Sequence, residues 1–189
     1  MLADEFPSMV VRDADVAGGT GTHHFRSVYR NRFYQFGLAE QNIVSAAAGM
    51  AAAGLLPVVA AFAVFHLRAL EQARLSIACA RRNVKLVGSH PGLDVGPDGG
   101  SAQALEDLAA FRSIPGMFVL SPSDSGEMVH AVRAMLKHSG SVYMRTGRSS
   151  TLPVPELSSH FSVGRGTVVR GGTLASTPIQ GSARRGRYR

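Results

Sequence analysis

The chain has 189 residues, of which 45% are hydrophobic and 17% charged, a composition that fits one globular α/β domain with a sizeable core. The net charge is +7, but six of the 20 basic residues are arginines within residues 163–189, a segment that contains no acidic residue. Residues 1–162 therefore carry 14 basic and 13 acidic residues, and this balance predicts no nucleic-acid partner. Cys79 is the only cysteine, which excludes an internal disulfide and a cysteine-built zinc site. Asp4 and Glu5 stand where a secretory signal would be basic, and every apolar run is interrupted, so we predict a cytoplasmic protein without a membrane span.

Short apolar runs alternate with helical patterns along the chain. An aromatic strand is predicted before Gly37, and further strands are predicted over 9–11, 55–61, 84–88, 117–120 and 142–144. Helices are predicted over 40–54, 62–82, 103–113 and 124–138, the last opening with a cap pair of Asp124 and Glu127. This alternation predicts an α/β fold in which a parallel sheet has helices on both faces.

One carboxylate stands at the start of the alanine-rich helix. Glu40 follows Phe36, Leu38 and Ala39 and precedes a run of apolar residues, so few polar side chains lie near it in sequence. Two interpretations remain open. Glu40 is either an acid that stabilises the first helical turn through the helix dipole, or a buried carboxylate directed at a ligand.

Other candidate residues follow the predicted strands. Phe62 and Phe65 are three residues apart and can share one helix face, either as ordinary core aromatics or as part of a site. Residues 89–101 form a long loop with four glycines and two prolines that also contains His90 and Asp98. Loops of this kind at a sheet edge display ligand contacts, so we favour a binding function for this one.

Two further segments match ligand motifs only in part. The glycine-rich stretch 18–22 lacks the GxGxxG spacing and the following lysine of a phosphate-binding loop. His23 and His24 are adjacent, and neighbouring residues rarely direct both side chains at one metal ion. The sequence therefore predicts no metal site in this chain.

Four blocks of the chain resemble the pyrimidine-binding domain of transketolases, and they occur in the order of that family. The blocks are FGLAEQNIVSAAAGMAAAG, AFAVFHLRALEQARLSIA, VKLVGSHPGLDVGPDGGSAQALEDLAAFRSIPGMFVLSPSD and VYMRTGR. The resemblance covers about residues 8–155 and is greatest to the C-terminal subunit of split bacterial transketolases. It implies a pyrimidine-binding domain over 1–155 and, over 156–170, a linker or the start of a missing C-terminal domain. Residues 171–189 consist mostly of glycine, serine, threonine and arginine with few apolar residues, so we expect a flexible arginine-rich tail there.

The resemblance also implies roles for individual residues. Glu40 matches the family's glutamate, which hydrogen-bonds a ring nitrogen of the aminopyrimidine of thiamine diphosphate and so helps to activate the cofactor for attack on a ketose. The implied cofactor-binding residues are Asp15, Phe62 and Phe65. The implied substrate-binding residues are His90 and Asp98, which would meet sugar hydroxyls or phosphate, and Arg148, which would meet the phosphate. Ala102 departs from the family, where a histidine or glutamine is usual, so one substrate hydrogen bond is missing.

The family's diphosphate-binding domain and its magnesium motif are not present in this sequence. The resemblance therefore implies an N-terminal partner subunit that binds the diphosphate and Mg²⁺, and an assembly that is a hetero- or homo-oligomer. The family's third domain should begin near residue 165, and the residues after Gly171 do not resemble it, so we expect a truncated chain.

The implied activity is transfer of a two-carbon ketol unit between sugar phosphates. Two alternatives stay open. One is a non-catalytic remnant or assembly subunit of the same fold. The other is the corresponding domain of a deoxyxylulose-phosphate synthase or of a 2-oxo acid dehydrogenase β-subunit.

Overall fold

The apolar runs of the sequence form the strands of a parallel sheet. The computed structural model describes residues 2–154 and 161–165. In that part of the chain the strands are Met9–Asp13 (β1), Phe33–Gln35 (β2), Leu56–Phe62 (β3), Lys85–Ser89 (β4), Phe118–Leu120 (β5) and Val142–Thr146 (β6). They form a six-stranded sheet in the order β2-β1-β3-β4-β6-β5, and each neighbouring pair is parallel. The predicted α/β fold is confirmed.

Helices connect the strands. The α-helices among the described residues are Ala17–Thr20 (α1), Thr22–Val28 (α2), Glu40–Ala52 (α3), Ala63–Arg68 (α4), Leu70–Gln72 (α5), Asp107–Arg112 (α6) and Ser125–Lys137 (α7). A π-helical stretch, Ala73–Cys79, follows α5. Tight 3₁₀ segments cover Leu2–Asp4, Arg30–Arg32, Gly92–Asp98 and Gly100–Ala102.

Two predicted helices differ from the observed ones. The helix predicted over 62–82 is divided among α4, α5 and the π-helical stretch, and Phe62 still belongs to β3. The helix predicted over 103–113 begins only at Asp107, because Gln103 has extended backbone angles. The segment 156–170, predicted to begin a further domain, lies outside the described residues except for residues 161–165, and the predicted tail over 171–189 lies wholly outside them.

The core lies on both faces of the sheet, because successive strand residues point to opposite sides. One apolar cluster packs beneath α3 and α6 and includes Val59 of β3 and Leu86 of β4. The other packs beneath α7 and includes Val58 and Val142. All five residues of β1 are buried, as expected for a strand covered on both faces.

A buried polar network crosses the first of these clusters. Tyr143 is fully buried, stacks on Phe111 with ring centroids 3.9 Å apart, and donates from its hydroxyl to Asp107 Oδ2 at 2.8 Å. Burial and the Asp107 carboxylate raise the pKa of Tyr143 well above its usual value, which keeps the phenol protonated as a donor. Arg145 Nε lies 3.2 Å from the same carboxylate oxygen and compensates its charge.

None of the helices in residues 2–154 and 161–165 combines the length and the apolar composition needed to cross a bilayer.

Candidate active site

The carboxyl ends of parallel strands lie at one edge of the sheet, where ligands bind in open α/β folds. Phe62 ends β3, His90 directly follows β4, and Arg148 follows β6 by two residues. Because β3, β4 and β6 are neighbours in the sheet, the fold brings these three predicted site residues to the same edge. Asp15 follows β1, which is the other neighbour of β3.

Glu40 is the first residue of α3 and is only 4% exposed. Its Oε2 atom is buried and has no hydrogen-bonding partner among the described residues. The Nη1 atom of Arg68, on α4, lies 3.7 Å from this oxygen, but the Arg68 side chain is 68% exposed to solvent. A buried carboxylate oxygen without a hydrogen bond is costly, so this geometry fits an acid that awaits a ligand better than a surface helix acid.

Three rings stack next to each other at the ends of β3 and β4. The Phe62 and Phe65 rings are parallel within 5°, with centroids 5.4 Å apart, and the His90 ring lies 4.1 Å from Phe62. A methyl group added at Gly19 of α1 would come within 2.8 Å of Phe62 Cε1, so glycine is needed for this helix to approach the stack. The arrangement presents flat apolar surface suited to an aromatic ligand ring.

His90 is held in an unusual position. It has a left-handed backbone (φ 56°), which is uncommon for residues other than glycine, and its side chain is buried. Its Nδ1 lies 3.0 Å from Ser89 Oγ. Burial lowers the pKa of His90, and the charge of Arg148 lowers it further, while Asp98 and Asp94 oppose this shift. The neutral imidazole is therefore the form that can exchange hydrogen bonds with a substrate near pH 7.

Arg148 and Asp98 form an ion pair, with Nη1 3.0 Å from Oδ2. Asp94, which the sequence did not single out, accepts hydrogen bonds from the backbone N–H groups of Arg148 at 2.5 Å and Ser149 at 3.1 Å, and from the Ser149 hydroxyl. These contacts join the two loops. The loop after β4 contributes the two aspartates, and the loop after β6 contributes the arginine and the serine.

Asp15 differs from the other cofactor-binding candidates because it is exposed. It has a left-handed backbone (φ 64°) and its N–H donates to Gln35 Oε1 at 2.9 Å. Asp13, two residues earlier, is instead fully buried and accepts hydrogen bonds from the hydroxyls of Thr20 at 2.7 Å and Thr22 at 2.8 Å. The signal that could have identified Asp13 is the threonine pair in the glycine-rich loop directly after it.

Two cavities flank the segment after β6. One, of about 400 Å³, is lined by Arg148, Ser123 and Asp124 among others, and the second, of about 430 Å³, includes Asp94 and Arg145. Within residues 2–154 and 161–165 no group of three or more His, Cys, Asp or Glu residues is placed to hold a metal ion.

A parallel sheet with a buried acid, stacked rings and an ion pair at its carboxyl edge defines a ligand-binding α/β domain. A family model described as the transketolase pyrimidine-binding domain matches residues 1–153, and the chain belongs to this family. Membership implies dependence of the family's enzymes on thiamine diphosphate. The stacked rings and the Glu40 oxygen that has no hydrogen bond fit an aminopyrimidine ring, which offers a flat face and polar nitrogens.

Relatives of known name agree with this assignment. A protein from Methanocaldococcus jannaschii, named as the C-terminal section of a transketolase, is 36% identical over 171 residues, which are 89% of this chain and 54% of the relative. A 6-deoxy-6-sulfo-D-fructose transketolase subunit from a Clostridium strain is 35% identical over 90% of this chain and 54% of its own length. The chain therefore spans about half the length of these relatives.

Solved structures show the same fold. A split-gene transketolase, described as an inactive β4 tetramer, is 39% identical with a TM-score of 0.78, over 90% of this chain and 55% of that chain. Transketolase from Leishmania mexicana is 26% identical with a TM-score of 0.74, over 82% of this chain and 24% of its own.

Proposed function

We propose that this chain is the pyrimidine-binding subunit of a transketolase that transfers a two-carbon ketol unit between sugar phosphates. The observation that carries the proposal is the buried Oε2 atom of Glu40, which has no hydrogen-bonding partner among the described residues. Glu40 begins α3, and this helix lies near α4, which bears Phe65. The family of this chain and the names of its relatives support the choice of reaction.

Thiamine diphosphate, when bound, supplies the carbon that accepts the ketol unit. Glu40 holds or releases a proton at Oε2 towards a ring nitrogen of the cofactor, in a place where burial excludes water. Phe62 and Phe65 hold the ring by stacking and fix its orientation relative to Glu40. Asp15, two residues after the end of β1, would border the cofactor cleft.

Substrate contacts come from the loops after β4 and β6. Neutral His90 can exchange a hydrogen bond with a sugar hydroxyl, and Asp98 can accept one. The planar guanidinium of Arg148 matches the oxygens of a terminal phosphate. Ala102 offers no hydrogen bond, so fewer groups of this chain contact the sugar than in family members with histidine or glutamine there.

A separately encoded partner subunit would bind the diphosphate and Mg²⁺. The solved split-gene transketolase, described as an inactive β4 tetramer, supports this part of the proposal, because its gene is split and that tetramer is inactive. We therefore propose an oligomer in which the cofactor lies between the two kinds of subunit, acting on soluble sugars in the cytoplasm.

The test is calorimetric titration of thiamine diphosphate and Mg²⁺ into the full chain, with and without a candidate partner subunit, followed by an assay of ketol transfer. We expect binding only with the partner. We expect Glu40→Gln to lower the transfer rate by at least ~100-fold. Glu71→Gln is the matched control, since Glu71 is an exposed acid on α5. Activity of Glu40→Gln equal to that of the Glu71→Gln control would refute the role of Glu40.

A further inference from the structure

The loop after β4 and the loop after β6 make a specific junction. Arg148 Nη1 donates to Asp98 Oδ2 at 3.0 Å and to the carbonyl oxygen of Val95 at 2.5 Å. Both acceptors belong to the 3₁₀ segment Gly92–Asp98. The arginine proposed to meet the substrate phosphate is therefore already paired with an anion of its own chain.

This ion pair is open to solvent. The side chain of Arg148 is 36% exposed and that of Asp98 is 42% exposed, so a dissolved anion can reach both. Carboxylate and phosphate oxygens are equivalent acceptors for a guanidinium, and phosphate carries more charge. Exposed ion pairs contribute little stability, so an incoming phosphate can replace the Asp98 carboxylate at small cost.

The main chain at Arg148 is held separately. Asp94 accepts hydrogen bonds from the backbone N–H groups of Arg148 and Ser149, so it fixes the loop independently of the Arg148 side chain. The Ser149 hydroxyl donates to the same carboxylate and lowers the pKa of Asp94, which keeps this anchor ionised. The Arg148 side chain can exchange partners while its backbone stays in place.

We propose that Asp98 is an internal competitor that occupies Arg148 until a terminal phosphate of the substrate displaces it, with Asp94 as the positioning residue for Arg148. This inference rests on the proposed function only in assigning the phosphate to the substrate. It makes the site selective for sugars with a dianionic end, because an uncharged hydroxyl group cannot displace a carboxylate from a guanidinium.

Inorganic phosphate is the probe, because it lacks the sugar hydroxyls that Asp98 could also contact. Its affinity is measured by calorimetry at low and fixed ionic strength, with the full chain assembled with its partner. We expect Asp98→Asn and Asp98→Ser to bind phosphate up to about fivefold more tightly than the natural chain, which is the upper limit for the loss of one exposed ion pair. Asp94→Ala should bind more weakly, because the backbone of Arg148 loses its anchor.

Two controls separate this effect from a general change in charge. Glu71→Gln removes one exposed acid elsewhere and should leave the phosphate affinity unchanged. Asp98→Asn combined with Arg148→Met should lose the gain, because the anion then has no guanidinium. Unchanged or weaker phosphate binding by both Asp98 variants would overturn the proposal.

The same protein distinguishes the two proposals. If the natural chain transfers ketol units but the Asp98 variants gain no phosphate affinity, the proposed role of Asp98 as a competitor is wrong and the proposed function stands. If the Asp98 variants gain affinity as expected while no ketol transfer occurs with any phosphorylated ketose, the proposed function is wrong and the proposed role of Asp98 stands. If Asp98→Asn lowers the KM for a phosphorylated ketose relative to the KM for the unphosphorylated ketose, this result would support both proposals.

Discussion

Gly88, the penultimate residue of β4, should tolerate no side chain at all. A methyl group at this position would approach Tyr143 Oη and would lie 2.8 Å from Cζ and 2.9 Å from Cε2 of the same ring. The ring cannot move freely, because it is fully buried, stacked on Phe111 and hydrogen-bonded to Asp107. We therefore expect Gly88→Ala to displace Tyr143 and to break its hydrogen bond.

The expected loss of stability has two parts. Overpacking of a filled core costs about 1–3 kcal/mol. The broken hydrogen bond to the buried carboxylate of Asp107 adds about 1.5–3 kcal/mol. Together they lower the free energy of unfolding by about 4 kcal/mol, which corresponds to a fall in Tm of roughly 10 °C for a chain of this size.

The assay is urea unfolding followed by circular dichroism, with Tm measured by calorimetry, and the same substitution elsewhere serves as control. Gly49 lies on the exposed side of α3, and a methyl group there meets no atom within 4 Å. Gly49→Ala should raise the free energy of unfolding by about 0.5–1 kcal/mol, because alanine favours the helix. If Gly88→Ala is as stable as the natural chain, the packing described around Tyr143 is wrong.

Two further predictions concern stability. His66 is buried with Nε2 donating to the Val87 carbonyl at 3.0 Å, and burial lowers the pKa of His66 to about 4, below its value of about 6.5 in an unfolded chain. The unfolded state therefore binds a proton more readily than the folded state, and His66 lowers the free energy of unfolding by up to about 3 kcal/mol between pH 7 and pH 4. Denaturant titrations at both pH values should show a smaller decrease for His66→Phe. Asp124 caps α7 by accepting from Glu127 N at 2.7 Å and also accepts from Val154 N, so Asp124→Ala should lower the free energy of unfolding by about 1 kcal/mol in the same titrations, and Asp124→Asn, which keeps an acceptor, by less.

The sequence was sufficient for the fold class because its information on secondary structure is local. Runs such as residues 55–61 are continuously apolar, which predicts a strand covered on both faces, and β3 is buried over all but its last residue. The cap pair Asp124 and Glu127 likewise marks the start of α7 at short range. The break of the helix predicted over 62–82 was not visible, because its apolar pattern continues across the π-helical stretch.

The candidate residues were predictable as chemical types but not as contacts. The residues next to Glu40 in sequence are compatible with either a surface acid or a buried one. The packing of α3 against the sheet is what buries it. Asp13 and Asp15 are both acids at the end of one strand, yet the turn of the chain after β1 buries the first and exposes the second.

The parallel sheet, the helices that cover it and the edge at which the candidate residues gather are predictable from the amino-acid sequence, because hydrophobic periodicity is a property of neighbouring residues and parallel strands all end at the same edge. The ion pair of Arg148 with Asp98, 50 residues away, and the hydrogen bond from the Arg148 backbone to Asp94 are visible only in the folded chain. Such contacts depend on the order of β4 and β6 in the sheet and on the path of two loops, which no local pattern specifies.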